Sequence, residues 1–195
     1  MIAVIDYGTA SPELISLLRT AAGTDYKITI NEYDILKADG IILPNISDPI
    51  SAAKRLKIMN LFSQLRLMNK PVLGLGSGFL LMCEYMRTNT DGLGYFPYCF
   101  TEADPVKMKP GSYRTVITNR ISLLENLPEE CSLYYDRIYK VPNDVLECME
   151  LKEKGHSTGV ACDNHYAFQF LPELSGEHGV TFMKNFISLV GNNQS

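Results

Sequence analysis

The sequence predicts an α/β protein: a parallel-core mixed sheet flanked by helices, with a strand-rich second half. Three observations carry this. Apolar runs alternate with helical patterns as βαβαβα up to about residue 86, the signature of a parallel sheet with covering helices. After Gly92-Leu93-Gly94 the texture changes to short strands separated by turns. Between the two, Lys70-Pro71-Val72-Leu73-Gly74-Leu75-Gly76-Ser77-Gly78-Phe79-Leu80-Leu81-Met82 runs an apolar strand through a glycine-dense corner into a helix. In an open α/β sheet such a corner lies at the carboxyl end of a strand, where ligands and catalytic groups are placed. A strand-to-helix turn of this kind can expose a nucleophile with backbone N–H groups beside it. At its tip stands Gly76, which has no side chain.

Ile2–Asp6 reads as a buried first strand. A helix follows, with Ser11 as N-cap, Pro12 at the first helical position, an apolar face of Leu14, Ile15, Leu17 and Leu18, and Gly23 closing it. Tyr26–Ile30 alternates as a short strand, and Ile41-Ile42-Leu43-Pro44 is a third strand stopped by proline. Ser47 or Asp48 caps one long helix that begins at Pro49 and has Ile58, Leu61, Phe62 and Leu65 as its inner stripe. Pro71–Leu75 is the next strand and Phe79–Met86 its helix. Beyond lie six strand candidates: Tyr95–Thr101, Tyr113–Thr118, Ser132–Asp136, Val145–Leu151, Thr158–Ala161 and Tyr166–Phe170. A short turn or helix falls within Asn119 to Asn126. A final helix around Val180 to Val190 puts Val180, Met183, Phe186 and Leu189 or Val190 on one face.

A chain of 195 residues is expected to bury roughly 70% of its unfolded surface as one domain. Residues 1–190 form that domain, with 191–195 as a disordered tail. A net charge of −4 lacks the basic footprint of a nucleic-acid binder. No apolar stretch reaches the roughly 18 residues of a membrane span. Met1–Asp6 lacks the basic region and cleavage site of a signal peptide, so the cytoplasm is the expected location. The cysteines at 83, 99, 131, 148 and 162 form no Cys-x-x-Cys pair, which fits reduced thiols in that compartment. No metal-ligand constellation stands out, and no cofactor is expected.

Several stretches carry a further signal through their order and spacing: Ile5-Asp6-Tyr7-Gly8, Ala38-Asp39-Gly40-Ile41-Ile42-Leu43-Pro44, Pro71-Val72-Leu73-Gly74 and Gly92-Leu93-Gly94. Later come Tyr139-x-Val141-Pro142, Gln169-Phe170-Leu171-Pro172-Glu173-Leu174-Ser175-Gly176 and Lys184-Asn185-Phe186. On these the chain resembles the class I glutamine amidotransferase family, with its flavodoxin-like fold, and most of all the glutaminase subunits of imidazole glycerol phosphate synthase. The resemblance spans essentially the whole chain. It implies that the family's nucleophilic cysteine falls at Gly76, its histidine base at Leu171 and its orienting acid at Glu173. A thiolate mechanism needs sulfur and an adjacent proton acceptor, and the acid matters through the imidazole it orients. Of the three roles, only the acid keeps its chemistry.

Other departures fall nearby. The family's glycine-rich oxyanion strand, Pro-Gly-Val-Gly, is Pro44-Asn45-Ile46-Ser47 here, and the asparagine after the first strand is Ser11. The resemblance therefore implies a glutamine amidotransferase-like protein of histidine biosynthesis that is inactive as a glutaminase. As a partner it implies a (β/α)₈-barrel synthase subunit docked on the site face. Two other readings stay open: a free-standing small-molecule binding or regulatory module using the vacated pocket, and a paralogue in surface-sugar amidation.

Ser77 is a weak substitute nucleophile, because Gly-x-Ser-x-Gly does not fit it and His156, His165 and His178 miss the base position. Gly74-x-Gly76-x-Gly78 lacks the third spacing of a dinucleotide loop. A small anion or an amino-acid-like ligand at the corner is the remaining expectation, with Asn45, Ile46, Ser47 and Ser77 shaping the pocket. Glu173, without its histidine, is expected to be solvated or bonded to nearby backbone.

Overall fold

Burial along the first strand sets the plan of the molecule. In β1 (Ile2–Ile5) Ile2 and Val4 enter one apolar cluster, and Ala3 and Ile5 enter another. Successive side chains of a strand point to opposite faces, so this sheet is covered on both sides. In this computed structural model all residues are described except 9, 24, 87–89, 101–105, 142–146, 153 and 193–195. Thr101, Pro142, residues 145 and 146 of a strand candidate, and the last three residues of the expected tail therefore lie outside the described residues.

Helix α1 (Pro12–Ala22) starts as its sequence implies. Ser11 Oγ accepts from Leu14 N–H, Pro12 opens the first turn, and Gly23 closes the helix at φ 63°. Strand β2 (Tyr26–Thr29) pairs parallel to β1. Helix α2 (Glu32–Lys37) was not foreseen: Asn31 Oδ1 caps Tyr33 and Asp34, but Ile35 is its sole buried residue, so no apolar period announces it. Strand β3 (Gly40–Leu43) follows. The single long helix expected after it is two, α3 (Pro49–Ile58) and α4 (Leu61–Arg66). Asp48 is the cap, and Asn60 breaks the run in the left-handed region at φ 57°, a conformation asparagine tolerates. The break leaves Ile58 82% exposed, while Ala52, Ala53 and Leu56 join Leu61, Phe62 and Leu65 inside.

Strand β4 (Val72–Leu75) leads into α5 (Gly78–Met82), which ends four residues before the expected Met86. The carbonyls of Leu81, Met82, Cys83 and Glu84 accept from the N–H groups of Leu93, Tyr95, Gly94 and Gly92. The helix cannot continue once those acceptors are taken, and Cys83–Met86 becomes β5, parallel to β6 (Phe96–Phe100). The second half holds β7 (Gly111–Ile117), a 3₁₀ turn (Ser122–Leu124), β8 (Glu130–Tyr135), β9 (Glu147–Leu151), β10 (His156–Cys162) and β11 (His165–Phe168). A second 3₁₀ turn, Pro172–Leu174, precedes α6 (Gly176–Asn192), whose buried side includes Phe182 as well as Met183, Phe186 and Val190. Gly191 and Asn192, placed in the tail by the sequence, are helical.

Among the described residues the main sheet has nine strands in the order β2-β1-β3-β4-β11-β10-β9-β7-β8. The pairs from β2 to β11 are parallel, and those from β11 onward are antiparallel. Central β4 therefore lies between parallel β3 and β11, and the carboxyl ends of all three meet on one edge. α1 and α6 cover one face, α3, α4 and α5 the other.

One glycine contact tests how α6 is seated. A Cβ on Gly179 would overlap the Pro172 carbonyl, whereas one on Gly191 would meet open space. Gly179→Ala is expected to cost about 1–3 kcal/mol by overpacking, and Gly191→Ala to be neutral or stabilising by less than about 1 kcal/mol. Urea midpoints of the two variants measure the contrast.

Candidate functional site at the carboxyl end of β4

Four segments converge where the parallel strands end. Gly76 and Ser77 form the turn between β4 and α5. Pro44–Ile46 follows β3, Gln169–Leu171 follows β11, and Ser11 and the first turn of α1 follow β1. Gly76 has φ 55°, a conformation that costs a non-glycine residue about 1–3 kcal/mol. Its N–H donates to Phe168 O at 2.9 Å, tying the corner to the end of β11.

The residues read from the sequence meet here in part. A Cβ on Gly76 would stand 2.5 Å from Asn45 Oδ1 and 2.7 Å from Leu171 Cδ2. Leu171 is 5% exposed. Its N–H donates to Tyr134 O at 2.8 Å and its carbonyl accepts from Ser175 Oγ at 2.8 Å, which fixes the loop that presents it. Asn45 Oδ1 accepts from Ser77 N–H at 3.0 Å and from Ser77 Oγ at 2.8 Å. Ser77 Oγ in turn accepts from Ile46 N–H at 2.8 Å and also bonds Ile46 O. All these partners of the Ser77 hydroxyl belong to the loop after β3; none is a base. Ser47 is exposed beside the Asp48 cap.

The histidines stand elsewhere. His165 pairs with Val72 at the start of β4, about 10 Å of strand from the corner. There it stacks on Tyr95 at 3.8 Å, and burial lowers its pKa. Two of the cysteines are held as thiols by their surroundings. Burial pushes the Cys131 thiol up to about 11 and raises Cys148 as well, the direction that suppresses thiolate.

Glu173 meets its expectation in part, through a bond to backbone. Its carboxylate accepts from its own backbone N–H, but Oε2 is buried without a hydrogen-bond partner among the described residues. Burial raises its pKa, and the nearby charge of Glu13 raises it further. Glu173 lines a cavity of about 260 Å³ with Ser11, Glu13, Leu14, Asn45 and Leu171. Glu13 was missed in the sequence; its signal is its place in the first turn after β1, at the same strand edge. Among the described residues no group of three or more His, Cys, Asp or Glu stands together to hold a metal, and no helix is long and apolar enough to cross a membrane.

No family model matches the chain. It is 29% identical to the imidazole glycerol phosphate synthase subunit HisH of Bacillus cytotoxicus, over 97% of this chain and 95% of that protein. It is 30% identical to the subunit of the same name from Bacillus mycoides, again over 97% and 95%. A crystal structure of a glutamine amidotransferase superposes with a TM-score of 0.71 at 13% identity, covering 97% of this chain and 98% of that one.

The buried carboxyl makes stability depend on pH. A folded-state pKa above the unfolded value means that the folded protein binds the proton more tightly. The contribution of Glu173 is then fully present below the unfolded value and lost as pH rises through the folded one. Glu173→Gln should remove this loss. Its denaturation midpoint should exceed that of the unaltered protein at pH 8, and the gap should close towards pH 4. An equal gap at both pH values would show that Glu173 does not titrate differently on folding.

Proposed function

The chain belongs to the family of the imidazole glycerol phosphate synthase subunit HisH, and from that premise we propose that it is a HisH-type subunit without glutaminase chemistry. In this reading it docks a (β/α)₈-barrel synthase of histidine biosynthesis through the face where the strands end, and that synthase works with free ammonia. One observation supports the loss of activity above others. The position of the family's nucleophile is Gly76, and the side chain beside it, at the position of the base, is Leu171. Leucine accepts no proton, and glycine carries no sulfur to attack a carboxamide. Glu173, at the place of the acid, has no imidazole to orient.

The fold is retained around these changes. The backbone bonds that set the corner and the Leu171 loop run from Gly76 to Phe168 and from Leu171 to Tyr134. A scaffold kept without its reactive groups fits a subunit whose contribution is its surface. The experiment is an ammonia-release assay with glutamine, with and without the barrel subunit, beside a synthase assay supplied with ammonium chloride. Glutamine hydrolysis is expected to be absent in both cases. The barrel subunit should co-purify with this chain and turn over with ammonium chloride. Glutamine-dependent ammonia release would overturn the inactive reading; normal folding without barrel binding would favour the free-standing module.

Restoring Gly76→Cys alone should give no turnover, because Leu171 remains. Adding Leu171→His should raise the iodoacetamide reactivity of the new thiol above that of Gly76→Cys, as the imidazole lowers its pKa. Equal reactivity in the two variants would mean that position 171 does not act on the corner.

A further inference from the structure

We infer that Asn45 is an internal occupant of the corner: its carboxamide takes the room of a side chain at position 76 and the donors that a bound acyl or carboxamide oxygen would use. The space and the hydrogen bonds are claimed by one atom. Asn45 Oδ1 lies 2.5 Å from the place of a Cβ on Gly76. The same oxygen accepts from Ser77 N–H at 3.0 Å and Ser77 Oγ at 2.8 Å. An N–H has one hydrogen, so an incoming oxygen must displace Oδ1 to reach it. The Ser77 hydroxyl is equally engaged, sharing its proton between Asn45 Oδ1 and Ile46 O while accepting from Ile46 N–H.

This occupant is well suited to its place. A carboxamide oxygen is a strong neutral acceptor and brings no charge into a site already lined by Glu13 and Glu173. Because Asn45 lies two residues past the end of β3, it is tethered there, and a tethered group competes at an effective concentration of about millimolar or more. The corner is thus closed twice over: it lacks reactive side chains, and its donors are already bonded within the chain. The inference deepens the proposed function and rests on it for the role of position 76; the contact itself does not depend on that reading.

Two measurements test it. The first leaves position 76 untouched and follows amide hydrogen exchange by NMR in the unaltered protein and in Asn45→Ala. Ser77 N–H should exchange at least tenfold faster in the variant, while Leu80 N–H, which bonds Ser77 O at 3.0 Å, keeps its rate. No change at Ser77 would overturn the inference. Equal acceleration at both amides would overturn it too, because Asn45 would then be holding the loop rather than filling the site. The second compares iodoacetamide labelling of Gly76→Cys with that of Gly76→Cys/Asn45→Gly. The positive φ strains both variants alike and cancels, so labelling at least tenfold faster without Asn45 is the expected result and equal rates count against it. Glutamine hydrolysis by the unaltered protein would instead refute the proposed function and leave the Ser77 exchange result standing.

Discussion

Close approach of backbone to backbone at the carboxyl end of β4 is the constraint on which the rest of the structure depends. A Cβ on Gly78 would overlap the Leu43 carbonyl and stand 2.8 Å from Pro44 O, and one on Gly74 would lie 2.5 Å from Met82 Sδ. Glycine at both places lets α5 settle onto the seam between β3 and β4. That seating carries the loop after β3 over the corner, where Asn45 and Ile46 bond Ser77. On the other side Gly76 N–H holds the end of β11. Three strand ends are fixed relative to one another before any functional side chain is considered, and the interior around them is too closely packed to shift cheaply.

Main chain sets the geometry of this corner more than side chains do. The bonds that shape it are main-chain bonds or involve small polar side chains, and they tolerate the exchange of a reactive group for an inert one. Thus Leu171 stands beside the tip of the turn even though it has nothing to transfer, and Glu173 follows it on the 3₁₀ turn that begins α6's approach. A corner built on main chain keeps its form whatever side chains it carries. Activity therefore has to be argued from the identity of side chains and not from the fold.

Three strands of the parallel half were legible because they are buried on both faces and read as unbroken apolar runs: Ile2–Ile5, Gly40–Leu43 and Val72–Leu75 all show full burial. Helix starts were legible where a cap and a proline coincide, as at Ser11-Pro12 and Asp48-Pro49. What was not legible depended on distant partners. The early end of α5 is imposed by residues 92–95, which take its terminal carbonyls, and α2 buries too little to leave a period. At the site, the resemblance pointed to Gly76, Leu171 and Glu173, and Gly76 and Leu171 do stand together. It did not reveal that Asn45 turns inward onto Ser77, nor that Glu173 is buried beside Glu13, because both follow from how loops of different strands pack.

Strain, open donors and a buried charge are three physical problems at this corner, and the chain resolves them unequally. Strain at the turn is avoided by Gly76, since glycine occupies φ 55° without the cost of about 1–3 kcal/mol that a side chain incurs there. The donors are met by Asn45, which accepts from Ser77, and the room beside position 76 is filled by Asn45 and Leu171. The Glu173 carboxyl is met less well. A buried carboxylate is tolerated when a cation or several donors face it, and Glu173 has its own N–H and the repulsion of Glu13 instead. Taking up a proton relieves part of that cost, because burial penalises the charged form far more than the neutral acid. The corner is thus packed and hydrogen-bonded around Gly76, Ser77, Asn45 and Leu171, while Glu173 Oε2 has no hydrogen-bond partner among the described residues.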